Sequence, residues 1–292
     1  MSEAPIHIKF NNSQNPNAGF DIIRLEELFK RADLDHTPFL PHLVEFYMII
    51  LIESGEGVHT IDFLDYPIQK GTVLTIRKDQ IHTFHESDSV KGTLLLFTDD
   101  FLVTYLEKLE AQKSLQLFNE VLGVPKIQLS FSEELELKAL EQRIQNEYFS
   151  MNDDYSMGII RSELHILIAK LFRIKSGKNE ILVARKYLNE FIAFQDLVEK
   201  NAAKYTMVSD YADIMGLSTK TLNNITKHIV SKSAKAFIDE ICTKQIKRLL
   251  INTDLSIKEI AYASGFEETT NFYKYFKRQT ALTPEQFRGT FR

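Results

Sequence analysis

Cysteine is almost absent: Cys242 is the single one in 292 residues, which excludes an intramolecular disulfide and a cysteine-built zinc site. Long apolar runs are missing too. The longest, Phe46–Ile52, has seven residues, far short of the roughly 20 that cross a bilayer, so no membrane partner is expected. Met1–Gln14 is polar and holds no apolar signal core, so the expectation is a cytoplasmic protein. No Gly-x-Ser-x-Gly elbow, P-loop or dinucleotide fingerprint occurs, which removes the usual marks of hydrolase, nucleotide and redox chemistry. The chain is expected not to be an enzyme and to need no cofactor.

What is present is a two-domain composition. Apolar residues make up 44% and charged residues 26%, with 21 Phe and 11 Tyr, on a chain long enough for two cores. The net charge of −5 conceals an asymmetry. Residues 1–195 hold 20 Lys+Arg against 29 Asp+Glu, whereas residues 196–292 hold 15 against 11. A basic last third on an acidic chain points to a polyanion-binding region joined to something else.

The periodicities divide along the same line. Val44–Ile52 is a continuous β-rich apolar run closed by the turn residues 54–57, and Val58–Phe63 alternates. Short strands at Thr72–Ile76, Ile81–Phe84 and Gly92–Phe97 complete a series that reads as a sandwich or small barrel. From Asp99 the period becomes helical, with helices expected at Phe101–Leu122, at Ser132–Tyr148 with Ser132 as N-cap, and at Tyr155–Ile174. In the last of these, Ile160, Leu164, Leu167, Leu171 and Ile174 recur at spacings of 4, 3, 4 and 3. That is either the seam of a helix pairing with its symmetry mate in a homodimer or the face of a helix lying on its own barrel. The seam is the preferred reading. Ser176–Asn179 is the candidate linker, dividing the chain into 1–176 and 177–292.

The second region contains an internal duplication. Thr206–Leu217 matches Ser256–Phe266, with Ala212 and Ala261, and Gly216 and Gly265, each 49 residues apart. Beyond the turn Leu222 matches Phe272 and Lys227 matches Lys277 at an offset of 50. Ser256 with Glu259 forms a capping box, the alanine is small where two helices cross, and the glycine allows the positive φ of a tight helix exit. Each copy therefore reads as a helix-turn-helix. A helix at Ala234–Asn252 joins the two.

Lys247–Leu250, Leu255–Ala261, Gly265-Phe266, Asn271-Phe272, Tyr275–Arg278 and Thr283–Arg288 together resemble the AraC/XylS family of bacterial transcription regulators. The resemblance extends over about Tyr187–Arg288 and, more faintly, to the strands around Gly71, Leu74 and His82–Phe84. It implies an α+β protein: an N-terminal cupin-like β-barrel with appended helices for effector binding and dimerisation, then an all-α tandem helix-turn-helix domain. Two units about 34 Å apart would enter successive major grooves of double-stranded DNA. The family's base-reading positions map onto Lys220, Asn223 and Asn224 in the first unit and Thr269, Thr270, Asn271 and Lys274 in the second. Lys227, Lys277 and Arg278 suit phosphates, which position without specifying. An activator would also contact RNA polymerase. This sequence departs from the pattern at Thr226, where a large apolar residue is common, at Ser231-Lys232 and Ala281, where glycine is, and at Cys242 and Ile246.

Seven of the eight histidines lie in the first region, yet none form the His-x-His pair that metal cupins use, so no metal is expected. In His82-Thr83-Phe84-His85 the two imidazoles would leave opposite faces of a strand, and His82 is read as a turn residue. Phe46, Met48, Phe63, Leu74 and Phe84 are the candidate effector-pocket lining, apolar enough to suit a small apolar or aromatic effector. The alternatives are a metal-dependent cupin enzyme fused to a DNA-binding domain, and an effector-independent regulator whose barrel serves dimerisation only.

Overall fold

The computed structural model describes residues 5–12, 15, 18–31, 37–103, 116–118, 124–151, 153–176, 187–203, 207–230 and 232–291. Two compact units emerge, Ile6–Lys178 and Asn179–Arg292.

The first unit holds two five-stranded sheets. One is ordered β1 (Ile6–Ile8), β3 (His42–Val44), β8 (Ile81–Phe84), β5 (Glu56–Ile61), β6 (Leu64–Gln69). The other is ordered β10 (Lys126–Gln128), β7 (Thr72–Ile76), β4 (Tyr47–Ser54), β9 (Lys91–Phe97), β2 (Phe20–Arg24). Every pairing is antiparallel except β1 with β3. The apolar run at Val44–Ile52 is not one strand. It breaks at Glu45-Phe46, where the chain leaves β3 in the first sheet and enters β4 in the second.

Strand β4 is apolar on both sides because both sides are covered. Met48, Ile50 and Ile52 point between the sheets, joining Val44, Phe46, Ile61, Leu74, Phe84, Leu94 and Leu96 in an inter-sheet core. Tyr47, Ile49 and Leu51 point the other way and join a second core with the helices. Helix α1 (Leu25–Leu28) packs into the inter-sheet core, whereas those of the second core are α2 (Asp99–Val103), α3 (Phe131–Asn146) and α4 (Ser156–Ser176), with a π turn at Glu147–Met151 between the last two. The N-cap of α3 is Ser130, not Ser132: its hydroxyl accepts from the Glu133 amide, and the Glu133 carboxylate accepts from the Ser130 amide. The helix expected at Phe101–Leu122 is observed only as α2 and a 3-10 turn at Gln116–Phe118, and residues 104–115 and 119–123 lie outside the described residues.

The dimer seam is overturned. Ile160, Leu164, Leu167 and Leu171 are all completely buried in the helix–sheet core of their own chain, and Ile174 packs against it. Their 4-3 spacing records burial on the outward face of β4 and β9, so these side chains cannot meet a second molecule.

The second unit is entirely helical among the described residues: α5 (Leu188–Asn201), α6 (Val208–Ile214), α7 (Thr219–Val230), α8 (Ala234–Asn252), α9 (Ile257–Ala263), α10 (Thr269–Thr280) and α11 (Pro284–Phe291). Helix α8 runs through its centre, burying Phe237, Ile238, Ile241, Ile246, Leu250 and Ile251. Gly177–Asn179 of the expected linker lies outside the described residues, as do Thr206 and Ser231.

Candidate nucleic-acid interface

The duplication in sequence is a duplication in hydrogen bonding. At the end of α6 the Leu217 amide donates to the Ala212 carbonyl at 2.9 Å; at the end of α9 the Phe266 amide donates to the Ala261 carbonyl at 3.0 Å. Gly216 (φ 65°) and Gly265 (φ 83°) supply the left-handed residue that this closure needs. Ala212 and Ala261 are buried, and Leu222 of α7 and Phe272 of α10 anchor the following helices in the core. Pairs α6/α7 and α9/α10 are therefore two helix-turn-helix units.

Both are tied to α8. In the first, the Asn223 side chain accepts from the Ala234 amide at 3.0 Å, at the start of α8, and donates to the Thr219 carbonyl at 3.0 Å. In the second, the Tyr275 hydroxyl donates to the Asp239 carbonyl at 2.9 Å. The Arg288 guanidinium donates to the carbonyls of Leu250 at 2.9 Å and Leu255 at 2.7 Å, satisfying acceptors that the end of α8 leaves open. Cys242 and Ile246 fill the packed side of α8. Burial pushes the thiol of the half-buried Cys242 up to about 11, which keeps it protonated.

Each second helix of a pair presents one polar, basic face. On α10 this face is formed by the exposed Thr270, Asn271, Lys274, Lys277 and Arg278, while Thr269 is half-buried at its start and Gln279 is exposed apart from it. On α7 it is formed by Lys220, Asn224, Lys227 and His228, with Thr219 exposed at the start of the helix. Asn223 does not belong to this face. It is half-buried with both ends of its amide bonded within the protein, and its counterpart at the 50-residue offset, Tyr273, likewise turns to its own chain and donates to Glu285. The two bonds of Asn223 hold its amide against its own helix and the start of α8, and Asn224 alone of the two asparagines stays exposed. His228 takes the place that Arg278 holds in the second helix. The 50-residue offset in the sequence pairs these two residues.

In the first unit the expected lining is divided. Leu74 and Phe84 line a cavity of about 30 Å³ together with Leu25, Phe29, Ile50 and His59, rimmed by His85, Glu86 and Ser87. Phe46 and Met48 belong to the same core without lining the cavity. Phe63 is in no strand: with Asp62 (φ 45°) it forms, at φ 71°, the two-residue turn between β5 and β6. The cavity has room for about one water molecule. His82 is not a turn residue. It lies in β8 facing inward, stacked on His59 (ring centroids 5.3 Å) and close to His42 (5.8 Å). His85 is exposed, as the strand alternation required. Burial holds His59 down to about 3 and His82 well below the usual imidazole range, so both are neutral. Among the described residues no group of three His, Cys, Asp or Glu side chains is placed to hold a metal ion.

Comparisons with known proteins agree with this architecture. A helix-turn-helix domain family matches residues 211–290, and an AraC-like ligand binding domain family matches residues 26–150. The chain belongs to the AraC/XylS family: it is a transcription regulator with an AraC-type ligand-binding domain followed by a helix-turn-helix DNA-binding domain. Among its relatives are the HTH-type transcriptional activators RhaS of Enterobacter sp. (strain 638) and of Escherichia coli O1:K1 / APEC. Each is 22% identical over 255 residues, spanning 87% of this chain and 89% of the relative. Among solved structures, ToxT from Vibrio cholerae O395 aligns over 94% of this chain and 98% of its own, with 14% identity and a TM-score of 0.42. No described helix is long and apolar enough to cross a membrane.

Proposed function

We propose that this chain is a cytoplasmic, sequence-specific regulator, and not an enzyme, that reads double-stranded DNA with α7 and α10. Asn224 and Lys220 of α7 and Thr270, Asn271 and Lys274 of α10 are the base-reading side chains, and Lys227, His228, Lys277 and Arg278 hold phosphates. Asn can bond an adenine edge through both amide groups, and lysine can donate to guanine. The observation that carries the reading is the twofold recurrence of one hydrogen-bonded hairpin, each time with a polar, basic helix face left open to solvent. The named relatives are transcriptional activators, which favours activation as the mode, and we propose contact with RNA polymerase as its route.

A small apolar or aromatic effector entering between the sheets would shift the population competent for DNA. The second reading, an effector-independent regulator, is favoured by the size of the cavity: about 30 Å³ against the roughly 300 Å³ or more of a ligand site. Effector binding therefore requires the cavity to widen. A compound that raises the melting temperature of the full chain supports the first reading.

Mobility-shift assays with DNA from upstream of its own gene test the DNA assignment. Asn271→Ala should relax base preference at one position, whereas Lys277→Ala should weaken all sequences alike and lower the salt slope by about 1. Unchanged preference in Asn271→Ala together with an unchanged slope in Lys277→Ala would reject it.

A further inference from the structure

The DNA-binding unit contains one histidine. His228 stands in the last turn of α7, while the other seven histidines of the chain all precede residue 166. At the 50-residue offset it occupies the place of Arg278 in α10, and both side chains are exposed. The two are not equivalent. A guanidinium is charged at every physiological pH, whereas imidazole is the side chain that ordinarily changes charge between about pH 5 and 8.

The hydrogen bond that fixes the ring decides what it offers. Nδ1 of His228 lies 2.7 Å from the Asn224 carbonyl oxygen, one turn back. A carbonyl only accepts, so Nδ1 carries the proton and donates. In the neutral ring Nε2 is then a bare acceptor, with nothing to give to a phosphate oxygen. A second proton on Nε2 supplies both an outward donor and a positive charge. The carbonyl end of α7 favours that charge, and Lys227 beside it opposes it. From the neighbouring elements Tyr187, just before α5, brings its ring to 5.5 Å but adds no charge. Among the described residues no carboxylate pairs with His228.

We infer that His228 couples the first helix-turn-helix unit to DNA through a proton: it holds a phosphate as imidazolium and releases it as the neutral ring, whereas Arg278 holds its phosphate at any pH. This rests on the assignment of α7 and α10 to DNA made above. The two units then differ in what they respond to. Acidification tightens the grip of the first and leaves that of the second unchanged. By linkage, the duplex in turn draws a proton onto the ring.

Salt titrations of DNA binding at two pH values test this, with the full chain and DNA from upstream of its own gene. A single linked proton limits the effect to about tenfold in Kd per pH unit. From about pH 8 to 6 the wild type should bind about 3- to 10-fold more tightly, and its log–log salt slope should steepen by about 0.9, for one more neutralised phosphate. His228→Arg should hold the steeper slope at both pH values, and His228→Gln the shallower one at both. The histidines of the ligand-binding unit are the same in all three proteins, so they cannot produce a difference among them. A wild-type slope equal at the two pH values, or a pH dependence that survives in His228→Gln, would overturn the proposal. If Lys277→Ala still lowers the slope by about 1 at both pH values, that failure belongs to His228 alone. If the Lys277→Ala slope is also unmoved, the DNA assignment falls, and this inference with it.

Discussion

The two helix-turn-helix units share a backbone plan but are held together differently. The second is built around its own aromatic cluster: Phe266 lies 5.3 Å from Phe272, Phe272 stacks on Phe276 at 6.1 Å, and Phe276 meets Phe287 of α11 at 5.6 Å. The first has Thr226 where the second has Phe276. Thr226 is fully buried, and its hydroxyl donates to the Leu222 carbonyl at 2.7 Å, so the polar atom is satisfied and the unit is not weakened by an orphan group. Its aromatic packing comes from outside the hairpin, through Tyr211 against Phe194 of α5 and Phe194 against Phe237 of α8. The second unit thus takes its aromatic packing from its own hairpin and α11, and the first from α5 and α8. The starts of the hairpins differ in the same sense: Ser256 caps α9 with a full capping box, whereas Met207 at the head of α6 makes no side-chain cap.

The turn glycines give the sharpest test of this contrast. A methyl on Gly265 would lie 1.8 Å from the Ala203 carbonyl oxygen, while one on Gly216 would meet nothing within 4 Å. Gly265→Ala should therefore cost about 3 kcal/mol or more, from collision plus positive φ, and Gly216→Ala only about 1 kcal/mol, from φ alone. Urea denaturation of the full chain measures both, and equal losses would remove the distinction. On DNA, Asn271→Ala and Asn224→Ala should each cost about 1–3 kcal/mol at a single base position. Asn223→Ala should leave sequence preference intact and lower stability by about 1 kcal/mol through loss of its tie to α8; competition gel shifts beside thermal melts separate the two outcomes. Ser256→Ala should cost about 1 kcal/mol and Met207→Ser should gain somewhat less, both read by thermal denaturation. The smallest effect is expected at Ala281, which closes α10 in the left-handed region at φ 63°. Ala281→Gly should raise stability by about 0.5–1 kcal/mol in the same melts, and a loss there would mean that the methyl is packed.

Much of the DNA-binding unit was legible in the chain because its signals are local. Alanine at the crossing, glycine at the exit, a capping serine and an anchoring apolar residue each act within a dozen positions, and the repeat doubled them. Helix α8 was expected at Ala234–Asn252 and is observed there. The α4 seam misled for a physical reason: a 4-3 stripe shows that a face is covered, not by what. The cover is the far side of β4 and β9, hidden inside a run whose apolar residues serve two cores at once. Asn223 misled because its amide is taken up by Thr219 and by the start of α8, a tie between elements that a list of aligned positions does not carry. The stacking of His42, His59 and His82 depends on which strands lie side by side, and no spacing along the chain reports that.

That column of rings makes the ligand-binding unit intolerant of acid. An unfolded imidazole takes up a proton near pH 6.5, whereas His59 in place does so only at about 3, with His82 and His85 as its titratable neighbours and His42 beyond His82. Between those values the opened chain is the one that gains protons. Stability is therefore complete above about pH 6.5 and erodes on acidification, by roughly 1.4 kcal/mol per pH unit for each such ring. Melting curves taken from about pH 7.5 down to 5 should show the drop, flattened in His59→Asn. The interior of the sandwich resists hydration only while its rings stay uncharged.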